Sequence, residues 1–214
     1  MVELLASMGR TMGFSFAAGI NLYATVAILG LASRYGWVDL PPQFQAFDNN
    51  WIIGTAIVLY VIEFFADKIP WVDSMWDAVH TVIRPAVGAI LGALLAGEAD
   101  DLGEAAGAVL GGTTALASHA AKASLRLAVN ASPEPVSNIV LSLSENAAVV
   151  GVLLVAIDHP WVAVAIAGAL LVAAGTLAVV LIRTIQRGWD RLLGGRPAAE
   201  PRGGRGMRSP PRGN

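Results

Sequence analysis

Cysteine is missing from all 214 residues, which excludes a disulfide framework, a thiol nucleophile and a thiolate metal site. Charge is scarce as well. Only 14% of the residues are Asp, Glu, Lys or Arg, against about 25% in soluble domains. Apolar residues fill the space, at 55% of the chain with a mean hydropathy of +0.61. The 23 glycines, together with many alanines, permit the close helix approach that membrane bundles use. These quantities argue against a soluble domain. They predict an all-α polytopic membrane bundle of about six spans at ~20 residues each.

The net charge of −2 conceals an asymmetry. Eight arginines (Arg183, Arg187, Arg191, Arg196, Arg202, Arg205, Arg208 and Arg212) fall in the last 32 positions, leaving six basic against fourteen acidic residues before them. The expected division is a transmembrane helical domain over 1–187 and a disordered Arg/Gly/Pro-rich cytoplasmic tail over 188–214, whose composition buries little apolar surface. An Arg-Gly tail can bind RNA. A solvated tail held near anionic lipid is the preferred reading, and no nucleic-acid partner is expected.

The first uncharged stretch lies between Arg10 and Arg34 and is long enough to be a retained first span rather than a cleaved leader. A second span runs from Trp51 to about Ala66. Residues 71–84 read as a short amphipathic interfacial helix, with Val72, Trp76, Val79 and Ile83 on one face and Asp73, Asp77, His80 and Arg84 on another. Pro85 then opens a stretch to Gly97 that is either a tilted span or a re-entrant half-helix. Further spans are expected over 104–130, 135–157 and 160–183, with Asp158-His159-Pro160 as a tight turn. Retention of basic loops in the cytoplasm gives six crossings of a cell (inner) membrane with both termini cytoplasmic, and only Arg34 on the wrong side.

The polar residues fall at helical spacings. Glu63 and Asp67 are four apart; Asp73, Asp77, His80 and Arg84 step by four, three and four; His119, Lys122, Arg126 and Asn130 by three, four and four; Asn138, Ser142 and Glu145 by four and three. Each series occupies one face of a helix. Asn21 and Glu145 fall near the middle of their spans. Ionisable groups at membrane depth raise a functional-site hypothesis by default. A weak internal repeat also relates Ala66-Asp67-Lys68 to Ala120-Ala121-Lys122, and Pro85 to Pro135.

Three strings carry a family resemblance: Gly-Ile-Asn-Leu-Tyr (19–23), Glu-Phe-Phe-Ala-Asp-Lys-Ile-Pro-Trp-Val-Asp (63–73) continuing to Pro85, and Ser-His-Ala-Ala-Lys-Ala-Ser-Leu-Arg (118–126) continuing to Asn138. Over residues 10–185 the chain resembles the domain of unknown function 4126 family, a group of bacterial multi-pass membrane proteins. The resemblance implies a bacterial inner-membrane bundle and supplies no substrate.

Two functions compete. In the first, a small transporter or channel-like permease moves an ion or small solute along Asn21, Glu63, Asp67, Asn138, Ser142 and Glu145, with carboxylates as charge-compensating ligands and Lys68 a further candidate binding residue. In the second, Arg84 and the cytoplasmic His119, Lys122, Arg126 and Asn130 face bind a lipid phosphate or a protein partner. His80 with Asp73 and Asp77 offers metal-ligating residue types, but helix spacing alone does not define a metal. A lipid-headgroup enzyme is less favoured, since no nucleophile or complete metal motif is visible, and the chain is expected to be neither an enzyme nor a cofactor binder. The expected partners are the lipid bilayer and an ion or small solute, with a second copy of the chain left open.

Overall fold

The computed structural model of the protein describes residues 2–38, 40, 42–96, 101–130 and 135–193. They form seven α-helices: α1 (Val2–Ile20), α2 (Leu22–Arg34), α3 (Asn50–Ala66), α4 (Pro70–Ala96), α5 (Asp101–Asn130), α6 (Pro135–Asp158) and α7 (Pro160–Leu193), with a 3₁₀ helix at Pro42–Phe47. No strand occurs among the described residues. Pro70, Pro135 and Pro160 each open a helix, where the missing N–H is no loss.

Around an apolar core that includes Phe14, Leu29, Leu91 and Leu153, the chain also buries charge and exposes much apolar surface. Glu63, Asp73, Arg84, Lys122 and Arg126 are buried, whereas Trp51, Val58, Val79, Val82 and Val172 are exposed. Buried polar and exposed apolar groups are the informative departures from normal burial. By length and composition, Pro70–Ala96 and Val136–Asp158 can cross a membrane, and Leu22–Arg34, Asn50–Ala66 and Pro160–Ala173 are shorter apolar helices.

Helix α1 is central and packs on α4, α5, α6 and α7. Ser7 Oγ donates to the Leu95 carbonyl (2.8 Å) and Ser15 Oγ to the Gly88 carbonyl (3.1 Å), so α1 runs antiparallel to α4. Gly9 abuts Pro160, and Gly13 abuts Ala156 and Ala163, placing the start of α1 beside the α6–α7 turn. Glycine permits this closeness, since Gly92 leaves no room for a Cβ against the Gly107 carbonyl, nor Gly111 against that of Gly88.

The expected first span is corrected. Asn21 leaves the helical conformation (φ −141°, ψ 99°) and its side chain caps α2 by accepting from Ala24 N (2.9 Å). Beyond it α2 doubles back. Tyr23 and Val26 share a groove with Thr55, Ala56 and Leu59, while Gly30 meets Ile53, so α2 is antiparallel to α3. Phe44, in the segment after α2, returns to Phe14 of α1, with ring centroids 6.5 Å apart. The stretch from Arg10 to Arg34 is therefore a helical hairpin with its tip at Asn21. Its composition is that of a span; a polar N-cap in mid-stretch breaks it.

Three other expectations change. The segment 71–84 is not a separate interfacial helix: α4 continues through Pro85, with Asp73, Asp77, His80 and Arg84 buried and Met75, Val79 and Val82 exposed. Periodicity defined the two faces but not which of them points inward. With Pro85 inside α4 and Pro135 opening α6, the two prolines of the repeat are not equivalent. Helix α7 continues through Gly188 to Leu193, because one glycine without a following proline or cap does not end a helix. The rest of the expected tail, and the loops 97–100 and 131–134, lie outside the described residues.

Candidate functional site

The four polar stripes meet. Glu63 comes from α3, Asp67 and Lys68 from the turn after it, Asp73, Asp77, His80 and Arg84 from α4, His119, Lys122, Arg126 and Asn130 from α5, and Asn138, Ser142 and Glu145 from α6. Helices α3 and α5 run parallel here, because Glu63 is level with Lys122 and Asp67 with Arg126.

Three buried cations form the spine. Arg84 donates from Nη2 to Glu63 Oε1 (2.8 Å), and from Nη1 to Asp77 Oδ1 (3.1 Å) and to His119 Nδ1 (2.7 Å). Arg126 holds Glu145 through Nε at 3.1 Å and through Nη2, and also donates to the Asp67 carbonyl (2.8 Å) and to Asn138 Oδ1 (3.1 Å). Its Nη2 lies 3.1 Å from Asp67 Oδ2. Asn138 Nδ2 donates to Asn130 Oδ1 (3.0 Å), and Asn130 Nδ2 to Asp73 Oδ2 (2.9 Å), closing the outer end.

Lys122 sits between the two arginines. Its Nζ donates to the Ile20 carbonyl (3.1 Å) and Glu63 Oε1 (3.2 Å), with Asp67 Oδ1 at 3.6 Å, Asp77 Oδ1 at 3.9 Å and Glu145 Oε2 at 4.0 Å. The Ile20 carbonyl is free for this because the helix breaks at Asn21. Arg84 also reaches the Gly19 carbonyl (3.4 Å), so the partially negative end of α1 points at two cations.

The histidines have readable tautomers. Arg84 can only donate, so His119 Nδ1 accepts and Nε2–H faces Thr81 Oγ1 (3.1 Å), leaving a neutral ring. His80 donates from Nδ1 to the Trp76 carbonyl (2.7 Å), and its Nε2 accepts from the Tyr23 hydroxyl (2.8 Å). Both ring nitrogens of His80 are thus engaged away from Asp73 and Asp77. No group of three or more His, Asp or Glu among the described residues is arranged to hold a metal ion.

Lys68, half-buried over the Phe64 ring (3.2 Å to the centroid), donates to the Phe64 carbonyl (2.7 Å) and weakly to Ser142 Oγ (3.4 Å). Burial lowers its pKa from the ordinary lysine value, with the Asp67 carboxylate acting in the opposite sense. Asn21 reaches Asn146 Oδ1 (3.2 Å), and Asn146 Nδ2 donates to the Ser142 carbonyl (3.0 Å). Tyr23, Thr81 and Asn146 escaped the stripe argument. Tyr23 lies within the 19–23 string, and Asn146 follows Glu145 on a neighbouring face.

Buried acidic residues outnumber buried basic ones in this site, with Lys68 half-buried beside them. Five carboxylates (Glu63, Asp67, Asp73, Asp77 and Glu145) are buried with three cations (Arg84, Lys122 and Arg126). Glu63 Oε2, Asp67 Oδ1, Asp73 Oδ1 and Asp77 Oδ2 are buried without a hydrogen bond. Two cavities flank α5 at this level. One of about 240 Å³ is lined by Asp77, Thr81 and Arg126; one of about 200 Å³ is lined by Phe16, Leu125, Leu170, Lys122 and Glu145.

Fold and site together define a helical bundle with a charged interior and an apolar exterior. Residues 8–180 match the family model described as Domain of unknown function (DUF4126), and the chain belongs to that family. No curated protein and no solved structure matches it.

Proposed function

We propose that the protein is a multi-pass membrane protein that carries a monovalent cation or proton through its buried charge network. The excess of five buried carboxylates over three buried cations supports this most directly. An uncompensated charge taken out of water is penalised by several kcal/mol, so a buried group in which carboxylates outnumber cations is stabilised by taking up positive charge, a proton included. The phosphate-binding alternative needs its cations turned to an anion at the surface. His119, Lys122 and Arg126 are instead buried, and the two cations face carboxylates.

The membrane arrangement that suits the fold is a re-entrant α1–α2 hairpin followed by five crossings, α3 to α7. Broken helices at membrane depth are tolerated where they line a protein interior, and their ends hold ions in some transporters. An odd number of crossings puts the start of α1 and the end of α7 on opposite faces. With the arginine-rich C-terminal side cytoplasmic, the start of α1 faces outward and Arg10 joins Arg34 on that side, in place of six crossings with both ends inside. Reporter fusions after Gly194 are expected to be active in the cytoplasm and fusions before Met1 outside it; activity of both on one side would sink the odd count.

Proteoliposomes bearing the wild-type chain are expected to pass a cation or proton flux, and Glu145→Gln to remove it while the protein stays folded. A Glu145→Gln protein with undiminished flux would overturn the assignment.

A further inference from the structure

The cavity of about 240 Å³ lies in the crevice between α4 and α5 and has no part in the reading above. Its walls are Ala78 of α4 with Ala123 and Leu127 of α5. Ala78, Thr81 and Leu127 are exposed while Asp77 and Arg126 are buried, so the cleft joins the charge network to the surface of the bundle.

What such a cleft can hold follows from the polar capacity left over in it. Every nitrogen of Arg126 already faces an acceptor on Glu145, Asp67 or Asn138. The Ser74 hydroxyl donates to the Pro70 carbonyl (2.9 Å) and that of Thr81 to the Asp77 carbonyl (3.0 Å), so neither has a hydrogen left and both can only accept. Asp77 is 5% exposed; Arg84 holds its Oδ1 (3.1 Å), whereas its Oδ2 is buried without a hydrogen bond. A buried acceptor left unmatched is costly. The cleft thus has acceptors to spare and no donor, and one of the acceptors carries charge. The complementary ligand brings N–H groups and a positive charge.

Spacing narrows the class of cation. Ser74 and Thr81 stand about 10 Å apart along α4, so with Asp77 they do not converge as the six or more oxygens of a calcium or magnesium site do. A primary ammonium asks for less. It carries three donors on one nitrogen, and Asp77 and Thr81, one turn apart on the same face of α4, can take two of them. Ala78, Ala123 and Leu127 suit the methylenes of an alkyl chain. The volume is several times the ~30 Å³ share of a water molecule, which is room for a short chain.

We propose that the α4–α5 cleft binds a primary alkylammonium group, that of a free small amine or of an amine-bearing lipid headgroup. Its nitrogen donates to Asp77 Oδ2 and Thr81 Oγ1, and its carbons lie against Ala78, Ala123 and Leu127. Occupation brings positive charge to a network in which carboxylates outnumber cations. The site goes beyond the transport reading and does not depend on it, since binding is measured without flux.

The test is calorimetric titration of propylammonium chloride into the delipidated full chain in phosphatidylcholine nanodiscs. Saturable binding is expected, with tetramethylammonium, which has the charge but no N–H, and potassium both weaker by at least about tenfold. Asp77→Asn should weaken propylammonium by a similar factor. Ala123→Leu, which fills the cleft and leaves every charge of the network in place, should abolish binding. Nanodiscs of phosphatidylethanolamine separate the two sources: competition that lowers the apparent affinity for propylammonium assigns the lipid headgroup, and an unchanged affinity assigns the free amine. Absence of saturable propylammonium binding by folded wild type, equal binding of tetramethylammonium, or full binding by folded Ala123→Leu would each overturn the site. If Asp77→Asn fails to fold, Ala123→Leu and the tetramethylammonium comparison decide. Propylammonium binding by a wild type that passes no cation or proton would leave the site standing and overturn the transport reading alone.

Discussion

Helices α4 and α5 are joined in two different ways along their length. Toward the loop 97–100 they touch backbone to backbone through Gly88, Gly92, Gly107 and Gly111, with α1 lying across them at Thr11 and Ser15. Toward the other end the same pair carries Asp77, Arg84, Lys122 and Arg126 and is tied by ion pairs to Glu63 of α3, Asp67 of the turn and Glu145 of α6. The first region is held by glycines with no room for a Cβ, and the second is flanked by two cavities. Close packing of small residues is stiff, because a missing ångström cannot be recovered, whereas long charged side chains can change partners. A clamp at one end thus fixes the helix register in which the other end sets its buried charges.

The largest effect is expected at the clamp. Gly92→Leu must displace the Gly107 backbone, and size-exclusion chromatography in detergent should show loss of the folded, monodisperse protein; a normal profile would mean that the two helices are not held there. Next comes the charged half. Arg126→Gln leaves Glu145 and Asp67 buried without their main partner, and removal of one member of a buried pair destabilises by about 3–5 kcal/mol. Thermal unfolding should show this fall, with partial recovery in the Arg126→Gln, Glu145→Gln double variant; an unchanged midpoint in the single variant would make the ion pairs incidental.

A smaller change is expected between the two regions. Asn21→Ala removes the α2 cap and the bond to Asn146, for a loss of about 1 kcal/mol. An uncapped but equally stable protein would show that packing, not Asn21, sets the hairpin. The smallest belongs to the exterior. Gly54 has nothing within 4 Å of its Cβ position, so Gly54→Ala should leave the midpoint unchanged or raise it by up to about 1 kcal/mol, the helix propensity difference. Destabilisation there would reveal a contact with another copy of the chain.

Legibility differed between these features. The stripes Glu63/Asp67, Asp73 to Arg84, His119 to Asn130 and Asn138 to Glu145 were readable because helical spacing places residues three and four apart on one face, and all fifteen candidate residues lie in or beside the network. The glycine clamp was not located. Glycine abundance suggests close packing, but which pair meets depends on how two helices are set against each other. His80 was read with Asp73 and Asp77 on spacing alone, yet its partners are Tyr23 from α2 and its own helix's carbonyl at Trp76.

By itself the sequence determined that the chain is helical, apolar on average and charged in four narrow stripes, since composition and a 3.6-residue period are local properties. It also marked the family in residues 19–23, 63–85 and 118–138. Only the tertiary structure decided that α2 turns back at Asn21, that the polar face of 71–84 points inward, and that Lys122 lies among oxygens contributed by five separate parts of the chain. Those outcomes depend on the summed energies of contacts between residues as far as 125 positions apart, and no window of local pattern contains them.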